Sequence, residues 1–203
     1  MTRRMSDPAF RAAQLQDLYA AHVKPVNKLV DELRVGADRW MPHVAPLHAG
    51  TEARLLLLAS DPGPAAADPY QALLSVEDDT SRAARLGALL RTAEIDTGET
   101  VPWCAYPWYT GHPPTAADLK AGVEPLRRLV LLLERLEVVV LLGPAAERSW
   151  RMLTSTHPYD VPPVTVLTTR DTDAFAGTNA QRKQWRDEQV LDFLEASRLL
   201  HGE

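Results

Sequence analysis

Arg54-Leu-Leu-Leu-Leu-Ala-Ser-Asp61-Pro62-Gly63 decides the fold: an apolar run of strand length that stops at an Asp-Pro-Gly turn. A strand covered on both faces reads as a continuous apolar run rather than an alternation, which is the pattern of a parallel sheet sandwiched by helices. In such sheets the loops at the carboxyl ends of the strands form the binding crevice. About forty residues on, Val101-Pro-Trp-Cys-Ala-Tyr-Pro-Trp-Tyr109 stops in the same way. Asp61 and Cys104 are therefore expected close together.

Outward from that run, the chain alternates strand and helix. Glu137 to Gly143 is a β-branched strand closed by Gly143-Pro144, and proline suits the first turn of a helix over 144–154. Further strands are expected at 53–60, 99–105 and 164–169. A helix over 80–93 has Thr80 as its cap and Leu86, Leu89 and Leu90 on one face. A second, over 115–136, opens with Thr115 and Asp118 at capping-box spacing, and a third closes the chain over 179–200. Phe10, Leu15, Leu18, Tyr19, Val23, Val26, Leu29, Val30 and Leu33 recur at helical spacing, with Pro25 dividing the segment into two helices. Residues 37–51, with Pro42, Pro46 and Gly50, read as a loop. This order predicts a single domain over 1–203, a three-layer α/β/α fold with a central four-stranded parallel sheet, on which the helices of 1–36 pack.

Composition narrows the function classes. The chain has 203 residues, 45% of them hydrophobic, enough for one core, and a single cysteine, which excludes an internal disulfide or a multi-cysteine zinc site. One cysteine, no apolar stretch of bilayer length and no signal-peptide core at the amino terminus lead to the expectation of a cytoplasmic protein without a membrane partner. The six histidines, at 22, 43, 48, 112, 157 and 201, never fall at metal-ligand spacing with a carboxylate, and the glycines are too scattered for a dinucleotide or phosphate loop. No metal and no cofactor are expected. A net charge of −5 does not advertise a nucleic-acid binder, so any such surface must be local. Arg170, Arg182, Lys183 and Arg186 form one basic cluster, which reads equally well as a solvated helix face.

Four segments taken in order, Leu55-Leu-Leu-Leu-Ala-Ser-Asp61-Pro62-Gly63-Pro64, Leu74-Ser-Val-Glu-Asp-Asp79, Val101 to Tyr109, and Val138-Val-Val-Leu-Leu-Gly143-Pro-Ala-Ala146 with Trp150, resemble the uracil-DNA glycosylase superfamily. The resemblance runs from His22 to the end. It implies hydrolysis of the N-glycosidic bond of a deaminated or damaged base in DNA, without a cofactor; a monomer is expected. Asp61 matches the residue that serves the water or the developing sugar cation. A carboxylate suits that task because breaking the bond builds positive charge on the sugar. The same Asp-Pro-Gly is also a tight turn in which aspartate bonds its own backbone. Pro62, Gly63, Trp103, Cys104 and Trp108 fall at substrate-binding positions.

Three positions depart from the family pattern. Leu73 stands where an aromatic ring stacks on the base, with Tyr70 the nearby ring. Cys104 stands where an asparagine reads the base edge, and a thiol is a weak donor and acceptor; Cys104 reads also as a buried hydrophobe. Thr168-Thr-Arg170-Asp171-Thr172 replaces a His-Pro-Ser run, so that Asp171 takes the place of a histidine that donates to the departing base. An ionised carboxylate cannot donate, and Arg170 is the cation at hand to compensate. Tyr106, Trp108 and Tyr109 either wall a base pocket or pack the sheet edge. The second reading is a glycosylase fold with lapsed catalysis that binds nucleic acid, a nucleobase or a protein. A third is a hydrolase with Cys104 as nucleophile, which would need a base beside the thiol.

Overall fold

The computed structural model describes residues 3–35, 39–68, 73–172 and 178–202. The strands are β1 (His43–Val44), β2 (Leu55–Ala59), β3 (Leu73–Leu74), β4 (Thr100–Cys104), β5 (Val138–Leu142) and β6 (Thr165–Thr169). The α-helices are α1 (Pro8–Gln16), α2 (Lys24–Leu33), α3 (Ser81–Thr92), α4 (Ala116–Val130), α5 (Pro144–Thr156) and α6 (Asn179–His201). Four strands form one parallel sheet in the order β4-β2-β5-β6. This is the α/β architecture read from the sequence.

The apolar run explains the layering. Successive side chains of a strand point to opposite faces. Leu56 and Leu58 of β2 enter a core shared with α2, α4 and α5, while Leu55 and Leu57 enter a second core shared with α3 and α6. Both faces of β2 are dry, and all five residues of β4 and of β5 are buried. β6 differs: Thr165, Val166 and Thr168 are exposed, as fits an edge strand that helices cover incompletely.

The helix caps follow the sequence. Thr80 accepts from the Ala83 N–H, and Thr115 and Asp118 form the reciprocal capping box at the start of α4. Pro25 lies in the first turn of α2, where its missing N–H costs nothing. Two expectations need correction. The helix expected to reach residue 136 ends at Val130, because the chain then turns through Leu132 N–H to Leu129 O and Leu133 N–H to Val130 O contacts that bury Leu133 and Leu136. The loop expected over 37–51 contains β1, which pairs in parallel with β3. No helix among the described residues is long and apolar enough to cross a membrane.

Candidate functional site

β2 and β5 are neighbours whose outgoing chains leave for opposite faces, through α3 and α5 respectively. A crevice opens between the carboxyl ends of such strands. Asp61 follows β2 and Gly143 follows β5 at that point. Gly143 has φ +89°, and a Cβ there would stand 2.9 Å from the Cβ of Asp171, so only glycine lets the loop after β6 lie this close over the end of β5.

Asp61 is held from three sides. Its Oδ2 accepts from the Ser60 hydroxyl at 2.5 Å and its Oδ1 from the Gly63 N–H at 2.8 Å. The latter closes the Asp-Pro-Gly turn, which leaves Gly63 at φ +76°. From α3, Arg82 Nη1 donates to the Asp61 carbonyl at 2.6 Å and stands 3.6 Å from Oδ1. The Asp61 side chain stays 22% exposed. It faces an open cleft of about 210 Å³ whose other wall is Tyr109 to Pro113, including His112. That volume lies below the usual range for drug-sized ligands and suits a single small group.

Behind the cleft lies an inner cavity of about 70 Å³, bordered by Leu73, Trp103 and Cys104. Asp61, Pro62 and Arg82 border both spaces. Cys104 lies opposite Ala59 in the β2–β4 register, and the ladder continues past the strands through Ala105 N–H to Ala59 O and Tyr106 N–H to Ser60 O. Asp61 and Cys104 are thus brought to one place. Burial pushes the Cys104 thiol well above its ordinary range; the negative charges of Asp61 and Asp171 add to this, and Arg82 opposes it. A thiol 1% exposed and held protonated is a poor nucleophile.

The remaining expected site residues are placed as follows. Pro62 and Gly63 line the cleft. Leu73, in β3, is 5% exposed and packs with Met5 and Ala45. The Trp103 ring belongs to the core on the α4 side of the sheet, where its indole N–H has no partner among the described residues. Trp108 is not brought to the cleft: it is 4% exposed, and its indole N–H donates to the Leu33 carbonyl at 2.7 Å, tying the loop after β4 to the end of α2. Arg170 turns toward α6, with Nε 3.5 Å from Glu188 and the guanidinium 4.8 Å from the Trp185 ring centre. Asp171 lies over Gly143 at the crevice. Tyr70 lies outside the described residues.

Sequence reasoning passed over Arg82 and Trp40, and weighed His112 without placing it at the cleft. Arg82 had a signal, because a cation in the first turn of a helix opposes the helix dipole and needs a local reason. Trp40 had none: its indole N–H donates to the Ala66 carbonyl at 2.7 Å, and its own carbonyl accepts from the Tyr109 N–H at 2.7 Å. One residue therefore joins the two loops that form the cleft. No protein-family model matches the chain, and no curated protein is significantly similar to it.

Proposed function

We propose that the chain is a uracil-DNA glycosylase-like hydrolase that cleaves the N-glycosidic bond of a deaminated or damaged base in DNA. The observation that carries this reading is Asp61, a partly exposed carboxylate fixed at the switch point of a parallel sheet and facing a cleft the size of one small group. A target base would be turned out of the stack to reach such a cleft. As the bond between the base and the sugar C1′ stretches, Asp61 stabilises the positive sugar and orients water, whose oxygen bonds to C1′. The proton released from water passes to the carboxylate or to solvent. The base leaves with the bonding electron pair and is then protonated. Ser60 and the Gly63 N–H keep the carboxylate in one orientation, so little reorganisation is needed as charge develops. Arg182, Lys183 and Arg186, in the first turns of α6, are the clustered cations that this reading offers to the phosphate backbone.

The second reading, a glycosylase fold that binds without catalysis, is favoured by the Arg82 contact. A carboxylate shared with an adjacent guanidinium has less charge to offer a sugar cation. Base release from oligonucleotides carrying uracil, hypoxanthine, xanthine or alkylated bases separates the two. Release by the protein and its loss in Asp61→Ala supports the hydrolase; tight binding of the same oligonucleotides with no release supports the binder.

A further inference from the structure

The chemistry proposed above ends with negative charge on the departing base, and the sequence offered Arg170 and Asp171 to meet it. Neither is suited. Arg170 is 53% exposed and held against Glu188 and Trp185. Asp171, when ionised, accepts hydrogen bonds and donates none.

Resting on the hydrolase reading, we infer that Arg82 of α3 is the cation that takes up the charge of the departing base. Arg82 is the one cationic side chain, among the described residues, that borders both the open cleft and the inner cavity. Its tie to Asp61 runs through Nη1, which donates to the Asp61 carbonyl at 2.6 Å. A guanidinium carries five donors in a planar fork, suited to the in-plane oxygens and nitrogens of an oxypyrimidine. The guanidinium packs against Gly63, where a Cβ would meet Nη1 at the ordinary contact distance of 3.5 Å.

The pairing with Asp61, which weakens either charge alone, has a directional use. Bond breakage makes a positive sugar and a negative base at the same moment. A carboxylate and a guanidinium fixed side by side present one charge to each product fragment. The electron pair of the C1′–N bond goes to the base, where its charge is spread over the ring nitrogen and the carbonyl oxygens and met by the guanidinium; the water oxygen bonds to C1′, and its proton leaves by Asp61 or solvent. Because both groups are already in place, the arrangement stabilises charge that exists only in the transition state.

Two measurements test this. The first is titration with barbiturate, an oxypyrimidine that is anionic at neutral pH and needs no catalysis. Wild-type protein is expected to bind it, Arg82→Met to bind at least roughly tenfold more weakly, and Arg82→Lys to fall between, because lysine keeps the charge and loses the fork. The second is single-turnover release of uracil and of 5-fluorouracil, a better leaving group, from matched oligonucleotides. Arg82→Met should lose roughly tenfold more rate on uracil than on 5-fluorouracil, since the poorer leaving group depends more on the contact. Circular dichroism establishes folding; if Arg82→Met does not fold, Arg82→Lys carries both comparisons. Absence of barbiturate binding, equal binding by the variants, or equal rate losses on the two bases would overturn the assignment. Arg82-dependent barbiturate binding with no base release from any oligonucleotide would sustain Arg82 as the anion contact and overturn the hydrolase reading alone.

Discussion

The two halves of the sheet end in different chemistry although their topology is the same. Over β2 and β4 the loops are tied together by Trp40, and the Asp61–Arg82 pair stands between an open cleft and a buried thiol. Over β5 and β6 a wider hollow of about 530 Å³ is lined by Glu147, Glu188 and Asp192, with Arg170 drawn to α6. The strands beneath differ in the same sense, since β2 is dry on both faces and β6 is largely exposed. Burial on both faces fixes strand position tightly, and a group that must be held to a fraction of an ångström is best placed at the end of such a strand.

Stability measurements sharpen this contrast most. Leu56→Ala removes a fully buried side chain from β2 and is expected to cost about 2–5 kcal/mol, whereas Val166→Ala, at a site 38% exposed on β6, should cost less than about 1 kcal/mol. Chemical denaturation of both variants checks it, and equal losses would break the contrast.

Next comes pH. His48 is buried at the start of β4, its Nδ1 2.8 Å from Thr100 Oγ1 and its Nε2 3.4 Å from the Val76 N–H. A neutral ring that donates from Nδ1 and accepts at Nε2 satisfies both contacts. Burial pushes its pKa down from 6.5 to about 3. Below pH 6.5 the unfolded chain binds a proton that the native chain does not, so stability falls as pH falls and continues to fall toward pH 3. The loss is about 1.4 kcal/mol per pH unit within that window. Thermal unfolding between pH 7 and pH 5 should show this decline, and His48→Asn should lessen it, leaving the share of His43, whose pKa burial also lowers.

Smaller effects are expected from the two remaining probes. Cys104 should resist a thiol reagent at neutral pH in the native protein and react at once in denaturant; prompt native labelling would contradict the packing of the inner cavity. Arg170→Ala should change stability by less than about 0.5 kcal/mol, because its contact with Glu188 is a surface ion pair.

Much of the framework was legible in the sequence, and the reasons are local. The Leu55–Leu58 run, the β-branched 138–140 segment and the Thr80, Thr115 and Gly143-Pro144 starts each carry their own instruction, and these starts lie within one or two residues of expectation, whereas the far end of α4 falls six residues short. β1 and β3, two residues each, are too short to show a period, and their pairing joins residues thirty apart. The site was half legible. Asp61 and Cys104 follow from strand ends, but the two readings of Trp108 stayed open because an aromatic near a crevice looks the same in sequence whether it faces a ligand or, as here, donates to a helix end. Arg170 was offered, through the family resemblance, as the cation beside the position of Asp171; its side chain lies against Glu188 and Trp185 of α6. Arg82 and Trp40 act across long sequence separations, which no local pattern encodes.

The central claim is that the β2 end carries the chemistry. Its most direct test is base release from the oligonucleotide panel by the protein and by Asp61→Ala, with hot-alkali cleavage reporting abasic sites. The account predicts release from at least one modified base and a loss on the order of a hundredfold or more in Asp61→Ala. Release that survives in Asp61→Ala, or no release from any base by the folded protein, would contradict it.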